Sequence, residues 1–197
     1  MHRLSWLLDL HMRALHKIAA LRDDDTHQAV RWPRVFSREE TTGPIRFAVA
    51  STEQSVNLLA DLATCLNPKL FLLYVLTVPR NTQRAGRYES PSLQVAEVRV
   101  FLDKFSTALE CDGRHHLWIG STDGQGTLVY DHHNIIYAYG PLASFEDVLK
   151  RRGFMEGSFS IPVPHVHSFH GELDGEVERL LTYFDWRHFE LEPGDDY

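Results

Sequence analysis

Apolar residues recur at helical spacing at the start of this chain. Leu4, Leu7, Leu8, Leu15 and Ile18 fall near one face of a helix over residues 4–21, with His11 on the same stripe. The run Arg22-Asp23-Asp24-Asp25 ends that pattern. Residues 26–44 are polar and mixed, carry Pro33, Gly43 and Pro44, and read as a connector. The organisation expected is an N-terminal amphipathic arm (1–30), one domain (45–189) and an acidic, frayed tail (190–197).

The domain opens with a short apolar run, Ile45 to Ala50, which reads as a buried strand. Ser51 to Gln54 fits a capping box, with Ser51 as the cap. The helix that follows places Val56, Leu59, Leu62, Ala63 and Leu66 on one face, and Asn67-Pro68 stops it. Leu70 to Val78 is rich in apolar and β-favouring residues and predicts a central strand, so residues 45–78 read as a β-α-β unit. Pro79 to Glu89 reads as an exposed arginine-bearing loop. Ser90 and Pro91 then suit the start of a helix carrying Val98, Phe101, Leu102, Phe105 and Leu109. Ala96, Val98 and Val100 also alternate like a strand, but the longer window favours helix.

Residues 116–120 and 127–139 flank Ser121 to Gly126, whose two glycines suit a hairpin turn. Ile135, Tyr137 and Tyr139 share one parity and read as core; a bulge near Asp131 to Asn134 would reset the count for Tyr130. Leu142, Phe145, Val148 and Leu149 form the stripe of another helix, ended by Gly153. Phe159 to Phe169, with Pro162 and Pro164, reads as an extended segment at a sheet edge. Asp174 caps a last helix with Val177, Leu180, Leu181 and Phe184. The fold class expected is α+β, with a single mixed β-sheet of about five or six strands and four or five packed helices.

Composition narrows the function more than the fold. In 197 residues the hydrophobic content is 43% and the charged content 24%, which suits a folded soluble chain. The formal charge of -7 disfavours a general nucleic-acid binder or attraction to an anionic membrane, and suits a basic protein partner. The two cysteines, Cys65 and Cys111, are too few for a disulfide framework, so a reduced, cytoplasmic setting is expected. Self-association through residues 4–21 is a further expectation.

Candidate chemistry lies in the histidines. His115-His116, His132-His133 and the segment His165-Val166-His167-Ser168-Phe169-His170 hold seven of the twelve. On an extended segment His165 and His167 share one face, and Asp131 and His133 have the same relation. Asp131, His133, His165 and His167 therefore form the candidate metal set, suited to zinc, iron or manganese. Asp131-His132-His133 has the three letters that mark the DHH phosphoesterases, but the further aspartate motifs of those enzymes are missing, so no family assignment rests on it. No Gly-x-Ser-x-Gly elbow, phosphate loop or dinucleotide fingerprint occurs. The first functional expectation is a non-enzymatic protein-binding or regulatory module of the inhibitor or immunity kind. A metal-dependent hydrolase and an oligomeric scaffold stand behind it.

Overall fold

The computed structural model describes residues 15–51 and 54–195. Its strands are β1 (Ile18–Leu21), β2 (His27–Ala29), β3 (Val35–Glu39), β4 (Arg46–Ala50), β5 (Lys69–Leu76), β6 (Gly86–Glu89) and β7 (Leu93–Gln94). They continue with β8 (His115–Ser121), β9 (Thr127–Tyr130), β10 (Ile135–Tyr139), β11 (Met155–Glu156), β12 (His165–His167) and β13 (Arg187–Phe189). The helices are α1 (Ser55–Ala63), α2 (Val95–Lys104), α3 (Ser106–Cys111), α4 (Leu142–Arg151) and α5 (Asp174–Leu181).

Both strands and helices are present, but the expectation of one sheet with five or six strands is corrected. The main sheet has 10 strands in the order β11-β3-β4-β10-β9-β8-β5-β6-β13, with β7 also paired to β5. A second sheet has 3 strands in the order β12-β1-β2. The count rose because short strands lie inside segments that read as polar. The connector 26–44 contains β2 and β3, and the loop 79–89 contains β6. The backbone of β6 is recruited by β5, with Tyr74 opposite Tyr88, and side-chain periodicity over four residues does not reveal such pairing.

The predicted helix over 4–21 is also corrected at its C-terminal end. Residues 18–21 are β1, paired on both sides to β2 and β12. Ile18 and Ala19 are buried there because a central strand needs apolar residues on both faces. The rest of that predicted helix, and the self-association surface placed on it, lie largely outside the described residues.

β4 and β5 run parallel, as a β-α-β unit requires, but β10, β9 and β8 stand between them. α1 makes the crossing. The residue at its N-cap is not Ser51. Gln54 is the capping position, with φ 57°, and the Val56 N–H donates instead to Glu110 Oε1 of α3 at 2.8 Å. The expected helix start at Ser90 moves likewise. The Ser90 hydroxyl accepts from the Leu72 N–H at 2.9 Å, and α2 begins at Val95, where Glu97 accepts from the Gln94 N–H at 2.7 Å.

All five helices lie against one face of the main sheet. Leu72, Tyr74, Leu117, Ile119, Tyr130 and Ile136 project from that face into the core against Leu59, Phe101, Leu102 and Phe145. The opposite face is covered at one corner, where Trp32, Ala48, Ala50 and Ile135 pack with Phe159 and Ile161. Tyr137 and Tyr139 extend that second face, half-buried, rather than entering the main core. Among the described residues no helix is long and apolar enough to cross a membrane.

Candidate metal centre

The β9–β10 connection is a four-residue turn, Asp131 to Asn134, built by its own side chains. Asp131 Oδ1 accepts from the backbone N–H of His133 and of Ile135, both at 2.9 Å. Asn134 adopts φ 62°, a left-handed conformation that asparagine tolerates better than most residues. The turn's outer groups are clamped by neighbours. Lys17 Nζ donates to the Asp131 carbonyl at 3.0 Å, Trp32 Nε1 to the His133 carbonyl at 2.7 Å, and Asn134 Nδ2 to the Glu110 carbonyl at 3.1 Å. His132 and His133 thus project from a backbone with little freedom to move.

β12 brings the remaining imidazoles. Its pairing with β1 sets Ile18 opposite His167 and Ala20 opposite His165. Ser168 N–H donates to the Lys17 carbonyl at 3.0 Å, and Gly113 N–H to the Ser168 carbonyl at 2.9 Å. A Cβ on Gly113 would lie 2.9 Å from the His167 Cβ and 2.9 Å from the Lys17 carbonyl oxygen, so only glycine lets β12 approach this closely.

The segments converge on one cluster. The His132 and His167 rings are 4.2 Å apart between centroids, His132 and His133 4.2 Å, and His133 and His167 4.9 Å. One potential ligand nitrogen from each of His132, His133 and His167 lies within 4.8 Å of the others. Coordination at metal–nitrogen distances needs side-chain shifts of roughly 1 Å from there. The group could therefore hold a metal ion, with nitrogen ligands only.

The four residues expected from sequence take distinct places. His133 and His167 belong to the three-imidazole group. Asp131 stands behind it: its Oδ2 receives the His133 Nδ1 hydrogen bond at 2.8 Å, which leaves Nε2 as the donor of a lone pair. His165 bonds through Nδ1 to the Pro162 carbonyl at 2.8 Å, and its ring lies 5.2 Å from His133 and 5.3 Å from His167, at the margin of the group. His132 was not in the expected set. Strand parity puts it on the face opposite His133, but the turn curls the backbone so that both rings face β12. The Asp-x-x-Asn spacing of Asp131 and Asn134 is the sequence signal for that turn.

His116 of β8 is a further neighbour, with its ring 4.4 Å from that of His132. Burial makes charging these imidazoles costly. It pushes His132 down to about 2, and His116 and His167 each to about 4, with neighbouring imidazoles adding to the effect. Burial also opposes ionisation of Asp131, but the His133 hydrogen bond and the Ile135 N–H hold its carboxyl below the ordinary value. Near neutral pH His132, His116 and His167 are therefore neutral imidazoles, the protonation state that binds a transition-metal ion, and the Asp131 carboxylate stands behind the group.

Beside the cluster, on the open face of the main sheet, is a cavity of about 240 Å³ lined by His116, Asp131, His133, Arg46, Trp118 and Asp195, among others. It shares Arg46, Trp118, Val129 and Tyr137 with a second cavity of about 530 Å³. Arg46 stacks 4.0 Å above the Tyr137 ring and is tied to Glu39 at 2.8 Å and to the Tyr139 hydroxyl at 2.6 Å. No protein-family model, curated protein or solved structure matches this chain.

Proposed function

We propose that the protein is a metal-dependent hydrolase whose ion is held by His132, His133 and His167. The observation that carries this reading is the convergence of three imidazoles from two segments far apart in sequence, one of them oriented by a buried carboxylate. Three protein ligands leave a coordination position open, and an ion with an open position activates water at neutral pH. The adjoining cavity gives a substrate room to reach that position. An all-nitrogen set favours zinc, with nickel, cobalt or copper as competitors, over manganese, which prefers oxygen.

Elemental analysis of untagged protein tests the reading, alongside the His132→Ala/His167→Ala double variant. Near-stoichiometric metal in the wild type that is lost in a folded double variant is the expected result. No metal in either, or equal metal in both, overturns it. Screens with ester, amide and phosphoester substrates then follow on the loaded protein.

An inhibitor-like module acting through its acidic surface draws less support. Several of its steering carboxylates are engaged within the chain: Glu190 with Arg84, Glu192 with Arg87, Asp174 with Arg80 and Arg114, and Glu176 with the Ala108 N–H.

A further inference from the structure

Residues 190–195 run from β13 to the open face of the main sheet. After β13 the chain is held by ion pairs of Glu190 with Arg84 and of Glu192 with Arg87. Residues 192–195 then form a closed turn. Asp195 N–H donates to the Glu192 carbonyl at 3.1 Å, and the Glu192 N–H donates to Asp195 Oδ2 at 2.6 Å. Gly194 makes the bend at φ +102°. Gly194 and Asp195 thereby reach the cavity beside the histidine cluster.

The floor beneath Asp195 is a row across three strands. Val75 of β5 pairs with Arg87 of β6 on one side and with His116 of β8 on the other, so all three project from the same face. Val75 is only 1% exposed although none of the described helices covers this face. Two polar atoms of the row lack partners. Arg87 Nε and His116 Nε2 are both buried and make no hydrogen bond. Asp195 Oδ2 lies 3.7 Å from Arg87 Nε, beyond hydrogen-bonding distance. The Asp195 side chain is 9% exposed.

A buried, unsatisfied guanidinium nitrogen is costly, and a carboxylate is the partner whose geometry and charge suit it. Asp195 supplies the charge but stops short of the bond, because its Oδ2 is held by the Glu192 N–H in the same turn. We infer that displacing Asp195 extends this cavity to Arg87 and makes a binding site for a small carboxylate ligand between Arg87 and His116, which the chain's own Asp195 occupies in this conformation. A free carboxylate approaches Arg87 without that tether and displaces the segment. The Glu190–Arg84 pair is exposed on both sides and contributes little, so the Glu192–Arg87 pair is the main ionic restraint on displacement. Arg46 pairs with Glu39 and the Arg87 Nη1 with Glu192, so the unbonded Nε of Arg87 is the guanidinium donor left for the ligand.

The inference places a ligand beside the proposed metal centre but does not require the ion. Calorimetric titration of the full chain with benzoate tests it, with benzamide as the uncharged isostere. Asp195→Asn keeps an acceptor for the Glu192 N–H but removes the competing charge. It is expected to bind benzoate about tenfold more tightly than wild type, because the competent state is no longer taxed by the chain's own carboxylate. Glu192→Gln, which removes the Glu192–Arg87 pair and so both loosens the segment and frees Arg87, shifts affinity in the same direction. Adding Arg87→Gln to Asp195→Asn removes the gain, and benzamide binding stays unchanged throughout. Equal benzoate affinity in wild type and Asp195→Asn, or a gain that survives Arg87→Gln, overturns the inference. Repeating the titration in the His132→Ala/His167→Ala background separates the two proposals. Competition that persists there supports the Arg87 site even if no metal binds. Competition seen only with metal present assigns the carboxylate to the ion and overturns the Arg87 site.

Discussion

Asp131 and His133 form a 2.8 Å carboxylate–imidazole pair at the back of the histidine cluster. The two oxygens of Asp131 have different tasks: Oδ1 closes the turn by accepting two backbone N–H groups, and Oδ2 orients the imidazole. Asp131→Asn and Asp131→Ala separate them. The asparagine variant keeps an oxygen for the turn and loses the charge behind His133, so metal affinity is expected to fall by about 10- to 100-fold with little loss of stability. The alanine variant also strands two buried N–H groups and is expected to lose a further ~1–3 kcal/mol or more. Competition titration with a chromophoric chelator and urea denaturation measure the two effects. Equal affinity in wild type and Asp131→Asn removes Asp131 from the site.

The contact of Gly113 with His167 predicts a steric sensitivity. Gly113→Ala puts a methyl group 2.9 Å from both the His167 Cβ and a backbone oxygen, neither of which can swing aside. β12 must move outward, carrying His167 from its partners. Amide exchange in residues 165–168 is expected to accelerate while the main sheet stays protected, since local opening need not involve the whole domain. Unchanged exchange in this variant removes the packing role assigned to Gly113.

Acid sensitivity follows from the buried imidazoles. His132, His116 and His167 have folded-state values pushed down from 6.5, to about 2, 4 and 4. Above pH 6.5 both folded and unfolded chains hold them neutral. Below it the unfolded chain takes up protons that the folded chain refuses, so stability is lost as pH falls from 6.5 towards 4. Unfolding in that window is expected to take up about three protons more than at pH 7.5, from these groups alone. His132→Gln lowers that number by about one. Denaturation midpoints measured at half-unit pH intervals check it, and a variant with the wild-type slope contradicts the burial of His132.

Lys17 gives a dependence of the same sign at higher pH. Its ammonium donates to the Leu109 and Asp131 carbonyls at 2.9 and 3.0 Å and lies 4.1 Å above the Tyr130 ring. Burial still lowers its value from 10.5 to about 8, against the pull of Asp131 and Asp112. Below pH 8 both states carry the proton and the cost of burying the charge is fully present. As pH rises from 8 to 10.5 the folded chain releases the proton while the unfolded chain keeps it, so stability rises. The gain is about 3 kcal/mol at most. Burial raises Cys111 to about 11, which acts the other way above pH 9. The comparison is therefore between wild type and Lys17→Met, where that contribution cancels. The wild type is expected to gain on the variant between pH 8 and 10, and a flat difference shows that Lys17 keeps its charge on folding.

Long periodic segments were legible in the chain. The stripes of α1, α2, α4 and α5, the apolar runs of β4 and β5, and the hairpin around Ser121 to Gly126 all follow from side-chain spacing, because each buries a face defined within its own residues. The histidine groups and their neighbouring Asp131 were visible as well, since clustering of one residue type needs no fold to be seen.

Tertiary structure decided the rest. β2, β6, β7 and β11 are two to four residues long and exist because a neighbouring strand offers a hydrogen-bonding edge, which local propensity cannot encode. The start of α1 is fixed by Glu110, 54 positions from Val56 in sequence. The place of His132 in the cluster depends on a turn that defeats strand parity, and its meeting with His167 depends on β12 docking beside β1. Sequence by itself determined which residues could carry chemistry and which stretches could fold locally. Only long-range pairing determined which imidazoles meet, because the side-chain period fixes faces within an element and says nothing about where that element lies in space.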